Sequence, residues 1–529
     1  MTDYNKRSSV YASRGMVATS SPLATQQGLR VLFDGGNAVD AALAMACVQG
    51  VVEPMMNGLG GDMWAMVWWE ADQKVYGLNA SGRCPSGLTA DRFAGVDSIP
   101  TSGWEAVTVP GAADGYCVLH ERFATRPLAE LVAPAVAFAR EGFPVGEAIA
   151  RIWEVLAPKL QHYKSDGYLI DGRAPRPGER FRPPPELADT WELFGREGRE
   201  GFYTGPVAHE IARASSAGGG GITEADLASQ HAEWAEPIGL DYRGLRILEM
   251  PPNGQGIVAL VALGILSFDD LASLSPADRM HLEIEATRIG FAEADLHVGD
   301  PRCVDVDVAP LLTERVLRDL RDRIDMHTVN TPALRTRAQG DTTYMCAVDA
   351  DGNAVSLITS VSEGFGAGVV AGSTGVVMND RAAAYSLDPD SPNLIAPGRR
   401  PRHSILPAMA LREGRPEIVF GVIGGHMQPQ GHIQTLVNVL DLDMGLQQAL
   451  DAPRYYVLED DEVAFEPAMD EDLVTELEDR GHRRFHNDGS PQAWGQSFSG
   501  SAQMIRFHRD LDSLEAGSDP RLDGVAIGF

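Results

Sequence analysis

Apolar residues recur at helical spacing over residues 26–47, interrupted only at Asp34-Gly35-Gly36-Asn37, where a helix stop meets a new helix start. The pattern predicts helix, tight turn, helix. After Pro54 a glycine-rich loop, NGLGG, runs into the aromatic strand DMWAMVWW, and KVYGLNASG reads as its hairpin partner. Residues 127–142 form a helical pattern closed by Gly142, and residues 171–185 are proline-rich and unpatterned, which predicts a surface loop. Four glycines, 218–221, precede a short helix with Thr223 as N-cap and Asp226 at N3. DYRGLRILEM, residues 241–250, reads as one strand; an apolar helix follows over 257–265 and a longer helix over 277–296.

From residue 327 to 341 the sequence HTVNTPALRTRAQGD is polar and without period, a long connection for a compact domain and so a functional or dispensable one. The texture then changes. Residues 343–348 and 354–360 are β-rich runs joined by Asp349-Ala350-Asp351-Gly352-Asn353, with the Asp-Gly hairpin signal. A glycine-rich stretch leads to VVMND, a strand pair lies around 408–422, and a helix follows Gly425. The chain shows no internal repeat.

Composition narrows the partners. With 529 residues, 44% hydrophobic and 22% charged, the chain reads as a globular enzyme of several sheets and helices, or of two closely packed segments. Lys and Arg number 44 against 74 for Asp and Glu, and the net charge of -30 repels phosphate backbones and anionic lipid. Neither nucleic acid nor a membrane is an expected partner. Cys47, Cys84, Cys117, Cys303 and Cys346 are widely spaced with no C-x-x-C pair, so reduced and mostly buried thiols are expected rather than a metal or redox site. The first 25 residues lack an apolar run of secretory type, which predicts a cytoplasmic protein.

The junction at residue 341 carries the candidate chemistry. A threonine hydroxyl is a weak nucleophile unless a base takes its proton, and a threonine at a chain terminus has such a base in its own α-amine. That amine titrates at about 7.7 to 8.0, close enough to neutrality to act without a histidine. Asp341-Thr342-Thr343-Tyr344 lies where the polar connection meets the β-hairpin, so a cut before Thr342 would expose this group on a rigid strand. By spacing alone, a Thr-Thr pair at a strand start is simply β-favouring.

The segment TTYMCAVDADGNAVSLITSVSEGFGAGVVAGSTGVVMN, residues 342–379, resembles the nucleophile segment of gamma-glutamyltransferases. Further blocks resemble that family in the same order: GGNAVDAA, NGLGGD, VPGAADG, RPLAELVAPAVAFAREGFPV, GITEADL, YRG, MPPNGQG and GSDPRLDG. The resemblance spans nearly the whole chain. It implies an α+β fold, the four-layer αββα sandwich of N-terminal-nucleophile hydrolases, built from a large segment of residues 1–341 and a small one of 342–529. It implies no cofactor and no metal. Thr342 would attack the carbonyl of Asp341 to separate the two subunits, and then act on a small-molecule amide through an acyl-enzyme released by water or an acceptor amine. Gly424-Gly425 match the family's oxyanion glycines, and Ser360 stands where a threonine orients the nucleophile. Whether the two-fragment product pairs further is left open.

The amino-acid end of the implied pocket departs from the family. Its arginine after the early hairpin is Ser81 here, with Arg83 two residues along. An asparagine becomes Ser362, a glutamine Arg381, an amino-binding aspartate Ala384, and a serine pair His403-Ser404. Arg381, His403 and Arg83 remain as groups able to hold an anionic acyl group, gamma-glutamyl or an oxamate- or glutaryl-type relative without an α-amine. The stretch 385–402 is short and lacks the lid insertion of many relatives, which predicts an open site and hydrolysis over transpeptidation. A non-catalytic scaffold is the reading from a different class.

Two other patterns carry less. Gly366-x-Gly368-x-x-x-Gly372 lacks the strand-to-helix context of a dinucleotide loop. His281 and Glu285 share one helical face but have no third ligand at metal spacing, so a solvated helix face is expected.

Overall fold

The structure, a computed structural model, describes residues 7–331, 340–459, 462–486 and 499–529. Two seven-stranded antiparallel sheets lie face to face. In spatial order the first runs Val10–Ala12, Ser513–Ser518, Ala502–His508, Arg415–Val422, Ala408–Arg412, Leu245–Glu249 and Ile238–Tyr242. The second runs Val525–Gly528, Met16–Thr19, Asp341–Val348, Ala354–Ser362, Asp62–Trp69, Lys74–Ala80 and Glu233–Ala235. Helices Pro22–Phe33, Ala38–Val52 and Ala112–Phe123 cover the outer face of the second sheet, and Gly256–Leu266, Met427–Leu440 and Leu446–Asp451 that of the first. The result is a four-layer αββα sandwich.

The buried helices show why. Every residue of Ala38–Val52 is buried, and its small side chains let it lie close between the sheet and neighbouring helices. Its start is fixed by a capping box in which Asn37 and Asp40 satisfy each other's backbone N–H. Gly256–Leu266 is likewise apolar all round and buried throughout. The strand Asp341–Val348 is buried at every position, which marks it as the centre of a covered sheet.

Three expectations need correction. Residues 241–250 belong to a hairpin, Ile238–Tyr242 paired with Leu245–Glu249, because Arg243 (φ 49°) and Gly244 (φ 78°) form a tight turn between them. Within 171–185, Arg180–Phe181 pairs with Phe143–Pro144 and Phe181 is buried against Trp153, so this stretch is not wholly a surface loop. His281 and Glu285 lie on a fully buried helix face rather than a solvated one. His281 Nδ1 and His482 Nε2 are 2.7 Å apart, His281 Nε2 donates to the Asp325 carbonyl at 2.8 Å, and Glu285 accepts the N–H groups of Asn330 and Thr331. Among the described residues no such group is arranged to hold a metal ion.

Of the polar connection 327–341, residues 332–339 lie outside the described residues. Its beginning is fixed by Val329 N–H donating to Arg480 O at 2.8 Å. Four of the five cysteines are buried, Cys303 is exposed, and all are free thiols.

Candidate active site

Three neighbouring strands end together where the candidate nucleophile sits. Antiparallel pairing aligns the start of Asp341–Val348 with the end of Ala354–Ser362 and the start of Asp62–Trp69. The first of these ladders slips: Asp341 pairs with Ser362 and Thr343 with Thr359, so Thr342 faces both Ser360 and Val361. A bulge of this kind bends the strand and re-aims its side chains. Ser362, just beyond it, has φ +84°.

Alternation along the strand separates the two threonines. Thr343 Oγ1 turns to the helical layer, 2.9 Å from Asn57 Nδ2 and 3.3 Å from Glu53 Oε2. Tyr344 turns to the facing sheet, so close to Gly421 that a Cβ there would lie 2.3 Å from its ring. Thr342 shares the face of Tyr344 and points between the sheets.

Ser360 is the hub of this cluster. Its Oγ donates to the Asp341 carbonyl at 2.8 Å, receives the Ser362 N–H at 2.8 Å and Arg381 Nη2 at 3.2 Å, and lies 3.3 Å from Thr342 Oγ1. The amide and the guanidinium can only donate, so the single hydroxyl proton goes to an oxygen, and the Asp341 carbonyl is the nearer one. Gln428 Nε2 approaches Thr342 Oγ1 at 3.4 Å while its Oε1 is held by the Leu406 N–H at 2.8 Å.

Arg381 begins a short 3-10 turn, its N–H held by Asn379 Oδ1 at 3.1 Å. Its head meets two hydroxyls, Ser404 Oγ at 3.0 Å and Ser360 Oγ, while Asp62 Oδ2 stands off at 3.8 Å. Nε has no acceptor among the described residues. Burial lowers the guanidinium pKa, opposed by the charges of Asp62, Asp380 and Glu363.

Asp62 collects four groups. Its Oδ1 accepts the N–H groups of Gly82 and Gly111 at 2.8 and 3.2 Å, and its Oδ2 accepts His403 Nε2 at 2.9 Å beside Arg381. The Ile405 N–H points at His403 Nδ1, which leaves the proton on Nε2. Burial, then the nearby Arg381, pushes the His403 pKa down to about 4. His403 is therefore neutral near pH 7 and is not the second cation that the sequence allowed for.

Gly424 (φ 113°) and Gly425 (φ 60°) link strand Arg415–Val422 to helix Met427–Leu440 in a conformation that glycine adopts without strain. Their N–H groups, at a helix start, meet no acceptor among the described residues. The chain entering the 341–342 bond lies against them: a Cβ on Gly340 would fall 3.0 Å from Gly425 Cα and 3.2 Å from its nitrogen. Asp341 lies beside Leu156 of helix Glu147–His162 and Gly364, where a Cβ would be 2.7 Å from Asp341 Oδ2.

Thr342, Ser360, Arg381, Ser404 and Gly425 thus come together, with Ser362 supplying a backbone N–H rather than a side-chain contact. Arg83 is not joined to them; it pairs with Glu233 at 3.0 Å and reaches the carbonyls of Ser229 and His231. In the uncut chain Thr342 and Ser360 are 1% exposed and Arg381 3%, with Gly340 and Asp341 packed beside them. Sequence reading missed Gln428, one turn past the glycines, and Asp62, which stood inside the NGLGGD block without a role.

The family model described as gamma-glutamyltranspeptidase matches residues 24–529. The chain is 34% identical to the glutathione hydrolase-like YwrD proenzyme of Bacillus subtilis, over 98% of this chain and 99% of that protein. It is 35% identical to the oxamate amidohydrolase proenzyme of Klebsiella pneumoniae, over 99% and 100%. Among solved structures, the cephalosporin acylase from Bacillus halodurans superposes with a TM-score of 0.93 at 38% identity, covering 100% of this chain and 98% of that one.

Proposed function

The chain belongs to the gamma-glutamyltranspeptidase family, and from that premise we propose that it is a self-processing amidohydrolase whose nucleophile is Thr342. One observation carries the reading: a single buried hydroxyl, Ser360, touches both the Asp341 carbonyl at 2.8 Å and Thr342 Oγ1 at 3.3 Å. The attacking atom and the bond to be broken are held together at the head of a strand.

In the first step Thr342 Oγ bonds to the Asp341 carbonyl carbon, the bond from that carbon to the Thr342 nitrogen breaks, and the hydroxyl proton ends on the nitrogen. Water then hydrolyses the ester, returning a proton to Oγ and leaving Asp341 with a carboxylate. Residues 1–341 and 342–529 become two subunits, in keeping with the proenzyme names of the relatives. In the second phase the freed α-amine takes the Oγ proton, Thr342 attacks the substrate amide, the amine leaves, and water releases the acyl group. The Gly424 and Gly425 N–H groups, at the helix start and free of a protein acceptor among the described residues, are the donors assigned to the oxygen that becomes negative in that attack.

The acyl group is read as short and acidic. Arg381 Nη2 is 3.2 Å from Ser360 Oγ, itself 3.3 Å from Thr342 Oγ1, so the guanidinium lies within two hydrogen-bond lengths of the nucleophile. A carboxylate directly next to the scissile carbonyl, as in an oxamate-type amide, suits that reach better than one at the end of a glutaryl chain. A second reading, an α-amino acyl group such as gamma-glutamyl, draws on Asp380 beside Arg381, whose buried Oδ2 has no hydrogen-bond partner among the described residues.

The test is denaturing electrophoresis with terminal sequencing. The wild type is expected as two fragments, the smaller starting at Thr342, and Thr342→Ala as one uncut, inactive chain. Active wild-type material with no new terminus at Thr342 rules the mechanism out. Amine release from oxamate, glutaryl and gamma-glutamyl amides then ranks the acyl groups.

A further inference from the structure

A buried arginine ordinarily neutralises its charge on a carboxylate through two parallel hydrogen bonds. Arg381 does not. Both of its terminal nitrogens donate to hydroxyls, Ser404 Oγ at 3.0 Å and Ser360 Oγ at 3.2 Å, and its nearest carboxylate stays at 3.8 Å. The charge is therefore aimed at Ser360, the hydroxyl that donates to the Asp341 carbonyl at 2.8 Å.

We propose that Arg381 drives self-cleavage of the chain, acting through Ser360 as a positioning residue before it meets any substrate. The inference rests on Thr342 as the self-cleaving nucleophile. When Thr342 Oγ bonds to the Asp341 carbon, the carbonyl electron pair moves onto its oxygen. That oxygen already faces the Ser360 proton, and the guanidinium behind Ser360 makes the proton more acidic and its hydrogen bond stronger. As the carbonyl re-forms, the electrons return and the bond to nitrogen breaks, so Arg381 neither gains nor loses a proton. The Ser362 N–H, 2.8 Å from the same Oγ, fixes the direction in which the hydroxyl points. Two tasks are thereby separated: Ser360 backed by Arg381 serves the chain's own carbonyl, and the glycine N–H groups serve the substrate's.

The experiment follows the conversion of the uncut 529-residue chain into its fragments. The chains compared are wild type, Arg381→Ala, Arg381→Lys, Ser360→Ala and the Ser360→Ala/Arg381→Ala double variant, each checked for folding by its thermal transition. Arg381→Ala is expected to slow cleavage by about 10- to 100-fold, below the full loss of an oxyanion donor because the effect is relayed. Arg381→Lys, which keeps a charge, recovers part of the rate, and guanidinium ion added to Arg381→Ala speeds it. The double variant is expected to cut no more slowly than Ser360→Ala alone. A folded Arg381→Ala chain that cuts at the wild-type rate overturns the proposal, as does an Arg381→Lys chain no faster than Arg381→Ala or a double variant whose slowing is the product of the two singles. A wild type that never cuts removes the underlying nucleophile as well, which distinguishes the two failures.

Discussion

His403 Nε2 donates to Asp62 Oδ2 at 2.9 Å, a fully buried contact between residues from the two halves of the chain on either side of Thr342. The same carboxylate is the nearest counter-charge to Arg381 and caps two loop N–H groups. Asp62→Asn leaves the buried guanidinium short of a negative partner, and breaking such an arrangement costs about 3 to 5 kcal/mol. Denaturant unfolding of the variant is expected to show a loss of that order, and the prediction fails if the midpoint is unchanged.

Glu53 gives a pH signature. Burial pushes its pKa up to about 7, although hydrogen bonds from Ser20 and Thr343 favour the charged form. A carboxyl whose folded pKa is raised stabilises the fold most below its unfolded value, near 4.3, and that contribution is lost as pH rises through about 7. Comparing thermal midpoints at pH 5 and pH 8, Glu53→Gln should lose less stability than the wild type. The difference is bounded at roughly 3 kcal/mol. Equal pH slopes in the two proteins contradict the assignment.

His403 and His482 act in the opposite sense. Burial holds their pKa values down to about 4 and about 2, so the unfolded chain binds protons that the folded chain refuses once pH falls below about 6.5. Their contribution is present above that pH and declines below it. His482→Gln is expected to flatten the acid side of the stability curve between pH 6.5 and pH 4, read by equilibrium unfolding at fixed ionic strength.

Gly340 is tight for a side chain. A Cβ there meets Gly425 backbone at 3.0 Å, and backbone cannot swing aside as a flexible side chain can. Gly340→Ala should shift the Asp341 carbonyl away from Ser360 and leave the uncut chain as the major band after expression. Cleavage at the wild-type rate would show that this contact is immaterial.

For turnover, Arg381→Ala is expected to reduce kcat/KM for an oxamate-type amide by about 10- to 100-fold, as befits a lost charged hydrogen bond of about 1.5 to 3 kcal/mol. Rates are normalised to the cut fraction. An amide with an uncharged acyl group should change little, and an equal fall for both argues against anion recognition.

Much of this was legible in the residues, for physical reasons that differ from element to element. Helices such as Ala38–Val52 announce themselves because their capping, here Asn37 with Asp40, is local, and the hairpin around Asp351-Gly352 because its turn chemistry is local too. The break at Arg243-Gly244 was missed since an arginine at positive φ carries no strong turn signal. The clustering of Thr342, Ser360, Arg381 and Ser404 followed family blocks, yet the neutral state of His403 and the outward pairing of Arg83 did not, because charge state and partner choice depend on neighbours distant in sequence. Gln428 escaped for the same reason: its meaning appears only once a helix start is brought opposite a strand start.

The order of the strands has a thermodynamic consequence. Met16–Thr19 from before the junction is sandwiched between Val525–Gly528 and Asp341–Val348, and Leu245–Glu249 borders Ala408–Arg412, so each sheet interleaves both segments. With the link before Thr342 cut as proposed, recovering the native state from a denatured one requires two molecules to find each other where one sufficed before. The two-fragment form should then melt in a concentration-dependent way and the uncut chain should not, so that the proposed cut would be a one-way passage from a chain that can refold by itself to a pair that relies on never coming apart.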